Sequence, residues 1–214
     1  MKNKNVIVID YGMGNTLSIS RALEYCGAKV KLTDSQNLIS QADFLVLPGV
    51  GAFYEGMKEL KKRNIIEAIK TFCEKERPFL GVCLGMQMMF ESSDEFQKTE
   101  GLGIIDGEVI MLPEHNKNGE KNIIPHVSWN SIECPKVKKW EKTILEGVES
   151  GSHMYFVHSY FCQTKNKDNV LATTPFYDFN FPSVIQKDNI YGVQFHPEKS
   201  GEIGLNILNN FFLL

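Results

Sequence analysis

The sequence has no excess of basic charge. Its 23 Lys and Arg stand against 26 Asp and Glu, a formal net charge of −3 over 214 residues, which argues against a polynucleotide or an anionic membrane as partner. No uninterrupted apolar stretch approaches the roughly 18 residues that a membrane-spanning helix requires. After the basic start Met1-Lys2-Asn3-Lys4-Asn5, only Val6 to Ile9 are apolar before Asp10, short of the roughly 7 to 15 residues in a secretory leader. A cytoplasmic location is expected. The five cysteines, Cys26, Cys73, Cys83, Cys134 and Cys162, include no C-x-x-C pair, so neither a zinc site nor a disulfide framework is expected, and most should be small buried hydrophobes. No repeat, low-complexity tract or Ser/Pro-rich linker divides the chain. A single domain over residues 1–214 follows.

What is present is an alternation. Val6-Ile7-Val8-Ile9, Phe44-Leu45-Val46-Leu47 and Phe79-Leu80-Gly81-Val82 are continuous apolar runs, the mark of strands covered on both faces. Helical patterns at 16–25, 65–73 and 84–90 separate or follow them, which indicates βαβ units and a parallel sheet. Farther along, strand-like segments at 104–110, 123–125, 152–161, 170–174, 183–186 and 190–195 lie closer together. A polar loop is expected at His115 to Lys121, and a closing helix at 201–214. The sum is an α/β fold with a mainly parallel central sheet, helices on both faces and antiparallel additions.

The stretch Gly81-Val82-Cys83-Leu84-Gly85-Met86-Gln87 sets a cysteine between a buried strand and a helix, with glycine two residues to either side. This is the cysteine counterpart of the G-x-S-x-G nucleophile turn. The glycines permit a sharp turn that lifts the sulfur above the sheet, and a helix amino terminus favours the thiolate. Backbone N–H groups at the turn, Leu84 first, can hold an oxyanion. Gln87, one helical turn on, can face the same pocket. A base is available in Gly192-Val193-Gln194-Phe195-His196-Pro197-Glu198. Pro197 biases His196 towards an extended conformation, and i, i+2 spacing lets Glu198 share its face and orient the imidazole. Pro48-Gly49-Val50-Gly51 follows the second buried strand, where ligand sites gather in open α/β sheets.

Competing patterns fail. Gly12-Met13-Gly14 lacks the third glycine of a dinucleotide fingerprint, which would fall at Leu17. His153 and His158, five apart on a strand, face opposite sides and cannot share a metal. Tyr155, Phe156, Phe161, Phe176, Phe179 and Phe181 are read as core and loop packing. A cysteine peptidase on the same fold and a catalytically idle binding subunit remain as other function classes.

Over nearly its whole length the chain resembles the class I, triad-type glutamine amidotransferases, specifically the glutaminase subunits of imidazole glycerol phosphate synthase. The likeness rests on Asp10-Tyr11-Gly12-x-Gly14-Asn15, the Pro48–Gly51 loop, the cysteine turn, Pro125-His126-x-x-Trp129-Asn130, Tyr155-Phe156-Val157-His158-Ser159-Tyr160 and Gly192 to Ser200. It implies a three-layer, flavodoxin-like fold with no cofactor or metal, and a triad of Cys83, His196 and Glu198. The implied oxyanion hole draws on Leu84 and on Gly49, Val50 and Gly51, with glutamine held by Gln87, Ser159 and Tyr160. It further implies a heterodimer with a (βα)8-barrel cyclase that receives the ammonia, faced by Asn15, Trp129, Tyr155 and Lys199. In the family the free subunit is nearly inactive, consistent with loop peptides that must turn to complete the oxyanion hole. The family usually has glycine where this chain has Ser128. That departure leaves the triad intact and keeps open a paralogous role, the supply of ammonia to a synthase that amidates surface sugars.

Overall fold

The computed structural model describes residues 4–135 and 140–214; the first three residues of the basic amino terminus lie outside it. In chain order the strands are β1 (Lys4–Ile9), β2 (Ala28–Thr33), β3 (Phe44–Leu47), β4 (Phe79–Val82), β5 (Phe90–Ser93), β6 (Thr99–Glu100), β7 (Ile105–Met111), β8 (His126–Ile132), β9 (Ser152–His158), β10 (Tyr160–Thr164), β11 (Val170–Phe176), β12 (Phe179–Lys187) and β13 (Ile190–Val193). The α-helices are α1 (Thr16–Tyr25), α2 (Gln36–Gln41), α3 (Phe53–Lys62), α4 (Ile66–Cys73), α5 (Leu84–Met88) and α6 (Gly201–Phe211).

The apolar runs at β1, β3 and β4 lie at the centre of a seven-stranded sheet of order β11-β12-β13-β4-β3-β1-β2. Its β2, β1, β3, β4 and β13 pairings are parallel, and β12 and β11 add antiparallel strands at one side. Pleating sends alternate residues to opposite faces. Val6, Val8, Val46, Leu80 and Val82 pack with α1, α6 and the phenylalanines of the second half, whereas Ile7, Ile9, Leu45, Leu47 and Phe79 pack with α2, α3 and α4. Three layers result, with β4 between β3 and β13 in the middle.

Several sequence-based bounds move. The strand expected at 123–125 is a turn through a cis Ile124–Pro125 bond, and the strand starts at His126 instead. The single strand expected at 152–161 is two. β9 pairs with β8 and β10 with β7, so the chain changes sheets at Ser159. The helix expected to run from Leu84 to Phe90 ends at Met88, because Phe90 opens β5 beside Ile105. The closing helix stops at Phe211 rather than Leu214. The loop at His115 to Lys121 is present, closed by a single bridge between those two residues.

Candidate active site

β4 delivers Cys83 to the carboxyl edge of the sheet, and α5 begins one residue later. Between them Cys83 takes φ 55° and ψ −111°, a conformation costing a non-glycine residue on the order of 1–3 kcal/mol. The surroundings hold it there. The Cys83 N–H donates to Val193 O of β13 at 2.8 Å, and the flanking glycines let helix and strand close up. A Cβ on Gly81 would lie 2.8 Å from Met86 N, and one on Gly85 would overlap the Leu47 carbonyl. The buried sulfur lies 3.8 Å from Gln194 Nε2 and 4.0 Å from Val157 O.

The next strand supplies the base. β13 ends at Val193, and His196 is fixed by backbone and by Ser200. Its N–H donates to Tyr155 O at 3.0 Å, Ser200 Oγ donates to His196 O at 2.6 Å, and Tyr155 N–H donates to Ser200 Oγ at 3.1 Å. The imidazole Nδ1 is 2.9 Å from Glu198 Oε1, with both side chains 2% exposed. The expected extended i, i+2 spacing is not what joins them. Pro197–Lys199 is a 3₁₀ turn, which brings Glu198 back beneath the ring. His196 Nε2 is buried and without a hydrogen-bond partner. Burial disfavours the imidazolium, but Cys83 and Glu198 outweigh it and raise the His196 pKa to about 9.

A cavity of about 250 Å³ opens over the sulfur, with Val50, Gly51, Leu84, Gln87, Ser159 and Tyr160 among its walls. The implied oxyanion and substrate residues are thus brought together, except that Gly49 stands behind the wall. Its carbonyl accepts the Leu84 N–H at 3.4 Å, so the first expected oxyanion donor is engaged within the chain. Gln87 Nε2 donates to Tyr160 O at 2.9 Å and to Gln194 Oε1 at 3.1 Å. Pattern reading missed two side chains here. Gln194, fully buried beside the sulfur, stands inside the His-Pro-Glu motif, where nothing in the pattern marks it as part of the site. Glu95 lines the cavity while its Oε2 accepts the Phe53 N–H at 2.6 Å, and burial raises its carboxyl pKa. It lies just past the end of β5, in a polar Ser-Ser-Asp-Glu stretch that carries no signal of a site.

Three of the residues implied to face a partner are contiguous. The Trp129 and Tyr155 ring centroids are 6.1 Å apart, Lys199 Nζ lies 5.8 Å from the centre of the Tyr155 ring, and that ring lies 6.5 Å from the His196 imidazole. Trp129 is half exposed, so the line runs from surface to imidazole. Asn15 is at the start of α1, where its Oδ1 accepts the Ser18 N–H at 3.2 Å. Among the described residues no group of three or more His, Cys, Asp or Glu could hold a metal ion.

A thiol on a strained strand-to-helix turn, facing a buried His–Glu pair from the adjoining strand, defines a cysteine-nucleophile enzyme of the open α/β class. The family model "Glutamine amidotransferase class-I" matches residues 7–214, and the chain belongs to that family. It is 47% identical over 208 residues to the imidazole glycerol phosphate synthase subunit HisH 1 of Legionella pneumophila (strain Lens), covering 97% of this chain and 98% of that one. It is 48% identical over 204 residues to subunit HisH of Caldanaerobacter subterraneus subsp. tengcongensis, covering 95% of each. In three dimensions it is similar to PurLQS from Thermotoga maritima, with a TM-score of 0.71 at 17% identity over 99% of this chain and 98% of that one; at that identity the likeness concerns the fold.

Proposed function

We propose that this chain is the glutaminase subunit of an imidazole glycerol phosphate synthase, acting in histidine biosynthesis as one domain over residues 1–214. The observation that carries the reading is Cys83 held at φ 55° beside the buried His196–Glu198 pair; the near full-length identity to HisH subunits supports the pathway.

Cys83 Sγ attacks the side-chain amide carbon of glutamine as its proton passes to His196 Nε2. The amide oxygen becomes an oxyanion, held by Leu84 N–H and by an N–H of the Gly49–Gly51 loop. The tetrahedral adduct collapses as His196 Nε2 gives its proton to the departing nitrogen, releasing ammonia and leaving a γ-glutamyl thioester. His196, now neutral, takes a proton from water. The resulting hydroxide attacks the thioester, the C–S bond breaks to release glutamate, and His196 returns its proton to the Cys83 sulfur. Glu198 keeps the ring oriented and stabilises its cationic form throughout. In the cavity Gln87 and the backbone at Ser159 and Tyr160 position the substrate, and the Glu95 carboxylate is placed to meet its ammonium group. No cofactor enters the reaction.

Ammonia passes to a (βα)8-barrel cyclase subunit in a cytoplasmic heterodimer, across the face that carries Asn15, Trp129, Tyr155 and Lys199. No described helix is long and apolar enough to cross a membrane. The hydroxyl of Ser128 turns inward, 2.9 Å from His126 Nε2, so this departure from the usual glycine is accommodated within the chain.

Glutamate release is the test, measured with the chain alone and then with the cyclase subunit and its ribotide substrate. Strong stimulation is expected. Cys83→Ala should abolish glutamine-dependent synthesis and leave synthesis from ammonium salts intact; loss of both would make the cysteine a folding or docking residue. No stimulation, with Cys83 still labelled by a glutamine-analogue electrophile, would move the chain to a different synthase.

A further inference from the structure

At the inner wall of the cavity, which His158 helps to line, two buried histidines from different strands touch. The β8–β9 register sets His126 opposite His158, with His126 Nδ1 3.1 Å from His158 Nε2. The direction of every hydrogen bond around them is determined. The Tyr160 carbonyl can only accept, so His158 Nδ1, 2.8 Å away, carries a proton and donates. Burial drives the His158 pKa down to about 3 and lowers that of His126, so both rings are neutral and each has one donor nitrogen. His158 Nε2 must then accept, and His126 Nδ1 must donate to it.

His126 Nε2 is left as an acceptor. It meets Ser128 Oγ at 2.9 Å and Asn130 Nδ2 at 3.2 Å. The Asn130 amide has one possible orientation, since its Oδ1 accepts the Ser131 N–H at 2.8 Å and its Nδ2 also donates to Pro175 O at 2.7 Å. At the inner end, Tyr160 O receives a second donor, Gln87 Nε2 at 2.9 Å. From there the contacts continue through Gln194 to the Cys83 sulfur. The rings of Phe156, Phe176 and Phe181 pack at 5.2–5.8 Å from His126. A histidine pair that merely filled this volume would need no such ordered set of donors.

We propose that His126 is a positioning residue for the glutamine cavity: through His158 it holds the Tyr160 carbonyl, and with it the Gln87 amide, in the orientation the substrate requires. Ser128 and Asn130, on a strand whose neighbouring Val127 and Trp129 are exposed, hold its tautomer from the outer side. This inference rests on the glutaminase reading.

Two measurements test it. In ring ¹⁵N NMR spectra of the full chain, His126 and His158 should both appear as neutral Nδ1–H tautomers; either ring as Nε2–H or as imidazolium would overturn the chain of donors. In glutamine hydrolysis with the cyclase subunit present, His126→Phe keeps the ring volume and removes the donor. It should raise KM about tenfold, the usual scale for a buried acceptor left unpaired, with kcat changed less than about threefold. His126→Asn, which returns an N–H at the Nδ1 position, should recover most of the loss. An unchanged KM in the Phe variant, or no recovery in the Asn variant, would reduce His126 to packing. A wild-type complex that releases no glutamate would instead sink the glutaminase reading, with the NMR tautomers unaffected.

Discussion

Leu84 and Gly49 are joined by a backbone hydrogen bond at 3.4 Å that runs from the N–H at the head of α5 to the carbonyl of the facing loop. That carbonyl and the Val50 N–H belong to one peptide group. A half-turn of this peptide would release Leu84 N–H and bring the Val50 N–H forward, replacing an acceptor by a donor. One absent oxyanion donor costs about 10² to 10³ in rate, the scale of stimulation expected when a partner settles the loop.

The loop has little room for that movement. A Cβ on Gly49 would lie 2.6 Å from Tyr11 Oη and 2.8 Å from Leu84 Cβ. Gly49→Ala is therefore expected to lower glutamine hydrolysis in the complex by about 10² or more. Ammonium-dependent synthesis should be unchanged, which shows that docking survives. Both rates come from one coupled assay with alternate nitrogen sources.

Glu95→Gln preserves an oxygen for the Phe53 N–H and removes the negative charge from the cavity wall. The KM for glutamine should rise roughly tenfold, about the loss of one charge-assisted hydrogen bond. Melting temperature should scarcely move. An unchanged KM would leave the substrate ammonium with a different partner.

The His196–Glu198 pair makes a pH-dependent contribution to stability. A folded-state pKa raised to about 9, against about 6.5 in the unfolded chain, means that folding favours the imidazolium. The contribution is full below about pH 6.5 and is lost as pH rises through about 9. Glu198→Gln removes one of its causes. The stability gap between wild type and variant should be about 1–3 kcal/mol at pH 6 and close towards pH 9.5, as read from denaturant midpoints across that range.

Gly85→Ala tests the cysteine turn. The new methyl would overlap the Leu47 carbonyl, a backbone atom that cannot rotate away, so a loss of about 3 kcal/mol or more is expected. Gly119→Ala, in open space at φ 82°, should cost only about 1 kcal/mol through backbone strain. Urea denaturation of the two variants makes the comparison.

Legibility in the sequence followed burial. β1, β3 and β4 are covered on both faces and read as unbroken apolar runs, and the triad residues stand at their ends or in short motifs. β2 escaped because it is the sheet's edge, where Lys29 and Lys31 alternate with Val30 and Leu32. β8 was misplaced because Ile123-Ile124 looks more strand-like than His-Val-Ser-Trp-Asn-Ser-Ile, whose character comes from pairing with β9. His126 stands in a motif that carries the family likeness, but its role, like that of Glu95, is not legible there for a related reason. Each acquires its role from a residue far away in sequence, His158 in one case and the amino end of α3 in the other, and no local pattern encodes such a meeting.

The central position of β13 has a consequence for synthesis of the protein. The strand that leads to His196 and Glu198 is the last of the chain, yet it inserts between β12 and β4 rather than adding at an edge. A growing chain can display the cysteine more than 100 residues before its base exists, and the parallel β4–β13 pairing must close a loop of that span, a slow kind of contact to make. Until it closes, the Cys83 N–H lacks its Val193 acceptor, one of the contacts that hold the turn in its strained form. Nascent or truncated chains are accordingly expected to carry an ordinary thiol, and reactivity to arise only with the completed sheet.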